Sequence, residues 1–122
     1  MDKQIKILLV EDEFINALLI KKQLEFIGYA VSHHVTTGEN AIISAKQNHP
    51  DIIIMDIRLA GEIDGIEAAS VIKSESDIPV IFITGYDDQI IKERAEKFKP
   101  LGYLIKPLMM DELKAIIDTH FV

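Results

Sequence analysis

Three acids in a row, Glu11-Asp12-Glu13, directly follow the apolar run Ile5-Lys6-Ile7-Leu8-Leu9-Val10. Asp56 closes a second run, Ile52-Ile53-Ile54-Met55, and Thr84 closes a third, Val80-Ile81-Phe82-Ile83. Lys106 follows the shorter Tyr103-Leu104-Ile105. If these runs are strands of one parallel sheet, Glu11, Asp12 and Asp56 gather on one rim, where ligands of open α/β sheets bind. Two unit charges about 5 Å apart repel by roughly 3 kcal/mol at an effective dielectric near 20. Proton sharing, the Lys106 ammonium or a bound cation would relieve that repulsion. Carboxylate and carbonyl oxygens with no histidine or cysteine nearby suit a hard ion; Mg2+ fits best, with Mn2+ as the alternative. Lys106 and Thr84 are poor ligands for such an ion but good partners for phosphoryl oxygens.

Each residue alone has a plainer reading. Glu11-Asp12 after a strand reads as a helix N-terminus, and Asp56 before a loop as an Asx turn. Thr84 alone is a strand-end hydroxyl bonded to backbone, and Lys106 a solvated lysine. The plain readings do not explain why all of them close strands at the same edge.

The elements that must position them follow from pattern. The runs ending at Val10, Met55 and Ile83 are too short for helices and nearly all apolar, as strands covered on both faces must be. Ala30 to Val35 mixes in Ser32, His33 and His34, and Tyr103-Leu104-Ile105 stops before a proline; both read as edge strands. Between them, Ala17, Ile20, Leu24 and Ile27 recur at helical spacing until Gly28, and Thr36-Thr37-Gly38-Glu39 has the capping-box pattern ahead of Ala41. Further helices carry Ile66, Ala69 and Ile72, then Ile91, Ala95 and Phe98, then Leu113, Ile116, Ile117 and His120. Strand and helix thus alternate five times. That predicts a five-stranded parallel sheet with right-handed crossovers and helices on both faces, a three-layer doubly wound α/β sandwich. Only the flavodoxin-like order 2-1-3-4-5 leaves both weak strands outside.

Composition narrows the function classes. At 122 residues the chain is long enough for one domain with a real core, and we expect a single domain over 1–122 without an output domain. The absence of cysteine excludes disulfide scaffolds, thiolate zinc sites and cysteine nucleophiles. Twenty acids against thirteen bases give a net charge of −7, which repels phosphate backbones and argues against nucleic-acid binding by this chain. No apolar run has the length of a membrane span and no signal peptide opens the chain, so a cytoplasmic location is expected. The isolated histidines His33, His34, His49 and His120 lack metal-ligand spacing.

Taken together, Leu8-Leu9-Val10-Glu11-Asp12-Glu13, Asp51-Ile52-Ile53-Ile54-Met55-Asp56, Asp64-Gly65, Val80-Ile81-Phe82-Ile83-Thr84-Gly85 and Gly102-Tyr103-Leu104-Ile105-Lys106-Pro107 resemble the receiver domain of two-component response regulators, over the whole chain. The resemblance implies a phosphoacceptor switch rather than a turnover enzyme. Asp56 would take a phosphoryl group from the phosphohistidine of a sensor histidine kinase or histidine phosphotransfer protein. Glu11, Asp12, Asp56 and the backbone carbonyl of Arg58 would hold Mg2+, while Lys106 and Thr84 would bind phosphoryl oxygens. Tyr103 would be the aromatic switch on strand 5, the Lys106-Pro107 peptide would be cis, and the helix 4–strand 5–helix 5 face would meet a downstream protein target. A monomer or weak homodimer fits such a domain.

Two departures bear on the site. Ala60 stands where many family members have proline, and Asp64-Gly65 falls eight and nine residues after Asp56, so the loop carries one extra residue and an added Gly61. Arg58, two past Asp56, and Tyr86, two past Thr84, should flank the approach of hydrolytic water. The main rival function is a small Mg2+-dependent phosphatase-like hydrolase with Asp56 as nucleophile. It would want a second aspartate where Arg58 sits, and a cap domain. A nucleotide- or flavin-binding module would need a glycine-rich loop after strand 1, where this chain has Glu11-Asp12-Glu13.

Overall fold

The computed structural model describes residues 4–121. Its elements are β1 (Lys6–Val10), α1 (Phe14–Phe26), β2 (Ala30–Val35), α2 (Gly38–Asn48) and β3 (Ile52–Asp56), followed by α3 (Gly65–Glu75), β4 (Val80–Thr84), α4 (Gln89–Phe98), β5 (Gly102–Ile105) and α5 (Met110–Phe121). The five strands form one parallel sheet in the order β2-β1-β3-β4-β5. The three apolar runs are the three inner strands, as their composition requires.

Strand alternation divides the core into two layers. Leu8, Val10, Ile53, Met55 and Phe82 face one way, against Ala41 and Ala45 of α2, Ala68, Ala69 and Ile72 of α3, and Ala95 of α4. Ile7, Leu9, Ile54, Ile81 and Ile83 face the other way, against Ala17, Ile20 and Leu24 of α1 and Leu113 and Ile117 of α5. Burial of that many branched side chains, at roughly 1.5–3 kcal/mol each, is what holds the strand ends in register. Among the described residues no helix is long and apolar enough to cross a membrane.

Two local expectations shift. The box anticipated from Thr36 to Glu39 does not form. The cap of α2 is Thr37, whose hydroxyl accepts the Asn40 N–H at 3.1 Å. Glu39 turns away to accept the Glu62 N–H at 3.0 Å. The reciprocal box lies instead at α3: Asp64 accepts the Glu67 N–H at 2.8 Å, and the Glu67 carboxylate accepts the Asp64 N–H at 3.0 Å. His120, at helical spacing with Leu113 and Ile117, is exposed and joins no core layer.

Candidate functional site

The C-terminal ends of β1, β3, β4 and β5 meet at one rim. Glu11 follows β1 and is 1% exposed. Its N–H donates to the Val35 carbonyl at 3.1 Å, and its Oε2 accepts the Glu13 N–H at 3.1 Å. The capping reading therefore fails in its simple form: Glu13 is the N-cap of α1 and makes no side-chain capping bond. Asp56, 4% exposed, ends β3, and its Oδ1 accepts the Arg58 N–H at 3.2 Å. The Asx-turn contact anticipated for it is thus present, but it engages one oxygen only. Close packing aims this turn, because a Cβ on Gly65 would stand 2.2 Å from the Asp56 carbonyl oxygen.

Lys106 joins the two acids. Its Nζ donates to Glu11 Oε1 and to Asp56 Oδ2, each at 2.7 Å. Its own N–H reaches the Thr84 carbonyl at 2.7 Å, and the peptide to Pro107 is cis, as the resemblance implied. Asp12 is exposed, yet one oxygen from each of Glu11, Asp12 and Asp56 lies within 4.8 Å of the others. Three carboxylates and one ammonium leave a formal charge of −2 when all are ionised. An all-oxygen donor set with that surplus fits a hard divalent cation.

The electrostatics follow from burial. Burial pushes the Asp56 carboxyl up to about 6, with Lys106 opposing and Glu11 adding to the rise. Burial also pushes Glu11 up, but Lys106 and the Glu13 N–H outweigh it and hold the carboxyl below its ordinary value. Burial opposes the charged form of Lys106, yet Asp56 and Glu11 hold its ammonium above the usual lysine range. Of the two acids, burial prevails at Asp56 and the hydrogen bonds and the lysine charge prevail at Glu11.

Thr84 is fully buried, and its Oγ1 accepts the Tyr86 N–H at 3.2 Å. That bond uses an oxygen lone pair and leaves the hydroxyl proton available to an incoming oxygen. Arg58 and Tyr86 stack, with the guanidinium carbon 3.9 Å from the ring centroid, and so link the loops after β3 and β4. Tyr103 lies lower on β5, opposite Phe82, half-buried against the α2–α4 layer. Its hydroxyl is buried without a hydrogen-bond partner, and burial, then Asp87, Asp88 and Glu96, push its pKa up. It is therefore not part of the rim. Sequence reading missed the Arg94–Asp64 ion pair at 3.0 Å, which ties α4 to the cap of α3. Nothing local marks a pair 30 residues apart on separate elements.

Such a rim lies at the topological switch point of a doubly wound parallel sheet, where ligands of such sheets bind. A family model described as response regulator receiver domain matches residues 7–118. PdtaR, a transcriptional regulatory protein of Mycobacterium tuberculosis, is 30% identical over 113 residues, covering 93% of this chain and 55% of that protein. YvrH of Bacillus subtilis is 33% identical over 114 residues, 93% of this chain and 48% of that one. The signal receiver domain of a modulated diguanylate cyclase from Desulfovibrio desulfuricans G20 superposes with a TM-score of 0.89 at 37% identity, covering 96% of this chain and 93% of that one. The chain belongs to the response regulator receiver family, and its role is that of a two-component phosphoacceptor domain. It spans about half the length of the curated relatives it matches.

Proposed function

We propose that Asp56 is the phosphoacceptor, with Glu11 and Asp12 holding Mg2+ beside it and Lys106 and Thr84 receiving the phosphoryl oxygens. The observation that carries this reading is the Lys106 bridge between Glu11 and Asp56 at the rim. One Asp56 oxygen attacks phosphorus as the bond to the donor histidine nitrogen breaks, and the electron pair leaves with the imidazole. Mg2+, when bound by Glu11, Asp12, Asp56 and the Arg58 carbonyl, neutralises charge on the reacting oxygens. Lys106 exchanges its Asp56 contact for a phosphoryl oxygen, and Thr84 donates its free proton to another. The acids and the lysine supply positioning and charge, which is most of what phosphoryl transfer asks of a protein. Every donor is a hard oxygen, which suits Mg2+ and Mn2+ alike, and Mg2+ is the ion proposed.

The donor is a phosphohistidine protein. The start of α1 supports contact there: exposed Phe14, Ile15, Leu18 and Leu19 stand beside the acidic rim. The domain passes its state to a protein target through α4, β5 and α5, with Tyr103 as the mobile aromatic. Residues 1–122 act as one receiver unit.

The test is incubation with acetyl phosphate and intact-mass measurement. A gain of one phosphoryl with Mg2+ and none after chelation supports the reading; equal gain in both removes the metal from it. The Arg58–Tyr86 stack yields a second expectation. A cation–π contact of about 0.5–1 kcal/mol at an exposed site holds both groups across the approach of water. Arg58→Ala and Tyr86→Ala should each speed loss of the phosphoryl by roughly two- to fivefold, read as decay of the phosphorylated mass. An unchanged decay rate removes the stack from this role.

A further inference from the structure

A fourth carboxylate reaches the loop that leaves Asp56, from outside the rim. Glu39 lies in the first turn of α2, and its Oε2 accepts the Glu62 N–H at 3.0 Å. Its Oε1 is buried with no hydrogen-bond partner, a cost that local helix stability does not explain. Gly61 sits beside it at φ +99°, and a Cβ there would lie 2.9 Å from that oxygen. One residue earlier, Ala60 forms an isolated parallel bridge with Thr37, the cap of α2. One residue later than Glu62, Ile63 approaches Gly38 so closely that a Cβ on Gly38 would stand 2.8 Å from its Cγ1. Residues 60 to 63, the part of the loop that contains the extra residue, thus rest one after another on the first turn of α2.

The ends of this loop are fixed independently. Arg58 N–H holds Asp56 Oδ1, and Gly65 N–H donates to the Ile57 carbonyl at 2.8 Å. Between these anchors run residues 59–63, with Leu59 packed against the α2–α4 layer, and the direction of the Arg58 carbonyl depends on how that stretch is held. Apart from Asp56 itself, Glu39 is, among the described residues, the one side chain outside the loop and α3 that accepts an N–H of residues 57–64. Its acceptor is ionic, the stronger kind of hydrogen bond.

We propose that Glu39 is a positioning residue that clamps residues 60–63 onto α2 and thereby aims the Arg58 carbonyl at the cation held by Glu11, Asp12 and Asp56. This rests on the Mg2+ reading above. Residues that orient a ligand without touching the metal change its affinity by about 10–100-fold when removed.

The test titrates Mg2+ into the metal-free full chain and follows its melting temperature, alongside amide exchange at residues 58–63. Glu39→Ala should need about tenfold more Mg2+ for half of its thermal shift, with faster exchange at the Glu62 amide. Glu39→Gln keeps an acceptor oxygen and should recover most of the wild-type half-saturation. A Glu39 with a merely structural role would lower the metal-free melting temperature and leave half-saturation unchanged; that result overturns the clamp. Gly61→Ala adds backbone strain at φ +99° in either background and presses a methyl into Glu39 only in wild type, so it should raise half-saturation in wild type and by less in the Glu39→Ala background. Equal effects in both backgrounds also overturn the clamp; where Glu39→Ala folds poorly, Glu39→Gln with faster exchange at the Glu62 amide but unchanged half-saturation overturns it instead. If wild type shows no Mg2+ shift, the cation reading and the clamp fall together; if wild type responds and Glu39→Ala matches it, only the clamp falls.

Discussion

Asp56→Asn is expected to lose phosphoryl uptake entirely and yet to be the more stable protein in metal-free buffer at pH 7.5. Burial raises the Asp56 carboxyl from 3.8 to about 6. Its ionised form is therefore less favourable in the folded chain than in the unfolded one. At about 1.36 kcal/mol per pKa unit, that difference corresponds to roughly 3 kcal/mol. Below pH 3.8 the group is protonated in both states and contributes nothing. Between 3.8 and about 6 the folded state binds the extra proton, so wild-type stability declines as pH rises. Above about 6 the full penalty is present, and removing the charge removes it. Urea midpoints of wild type and variant should thus converge near pH 4 and separate by pH 7. Mg2+ should close the gap again, because it stabilises the chain that keeps the ligand. Equal midpoints at pH 7.5 without metal would mean that the buried charge is not the strained group.

Lys106→Met is expected to act in the opposite direction. It removes the ammonium that contacts Glu11 and Asp56 at 2.7 Å each. Two nearly buried carboxylates then face each other without a counter-charge. Removing one member of a buried pair costs about 3–5 kcal/mol. Lys106 keeps 24% of its side chain exposed, and Asp56 can take a proton, so about 2–3 kcal/mol is expected at pH 7.5. The deficit should shrink at pH 5.5, where Asp56 is largely neutral in wild type as well, and persist in part because Glu11 still lacks its partner. A deficit independent of pH would show that packing of the lysine stem, and not its charge, is what was lost.

These effects were partly legible in the sequence. The inner strands announced themselves because a sheet covered on both faces leaves little room for a polar position, and the short apolar runs ending at Val10, Met55 and Ile83 satisfy that. The rim followed from what stands at each strand end, so Glu11, Asp12, Asp56, Thr84 and Lys106 needed no long-range information once the strand order was in hand. That Arg58 and Tyr86 flank the same rim was legible for the same reason, since both lie two residues past the ends of neighbouring strands; that they stack came from the structure.

What escaped was set by pairing across elements. Thr36 to Glu39 satisfies the box pattern, but Thr37 is drawn into a bridge with Ala60 and the helix starts one residue later. Glu39 is then released toward a loop 23 residues away, a partner no local window contains. Asp64 and Glu67 carry the same box pattern, and there the competing Arg94 takes Asp64 Oδ2 and leaves Oδ1 to the box. The Lys106 bridge to two acids could be anticipated as one of three ways to relieve repulsion; that it coexists with oxygens of Glu11, Asp12 and Asp56 within 4.8 Å of one another became clear only from the distances.

Chemical trapping at the acceptor tests the central claim most directly. The chain is phosphorylated with acetyl phosphate and Mg2+, reduced with borohydride, which converts an aspartyl phosphate to homoserine, and digested for peptide mass mapping. The account predicts the conversion at Asp56 and at no other carboxylate. Conversion at Asp12 or Glu11, or a phosphoryl gain that leaves Asp56 unreduced, would contradict it.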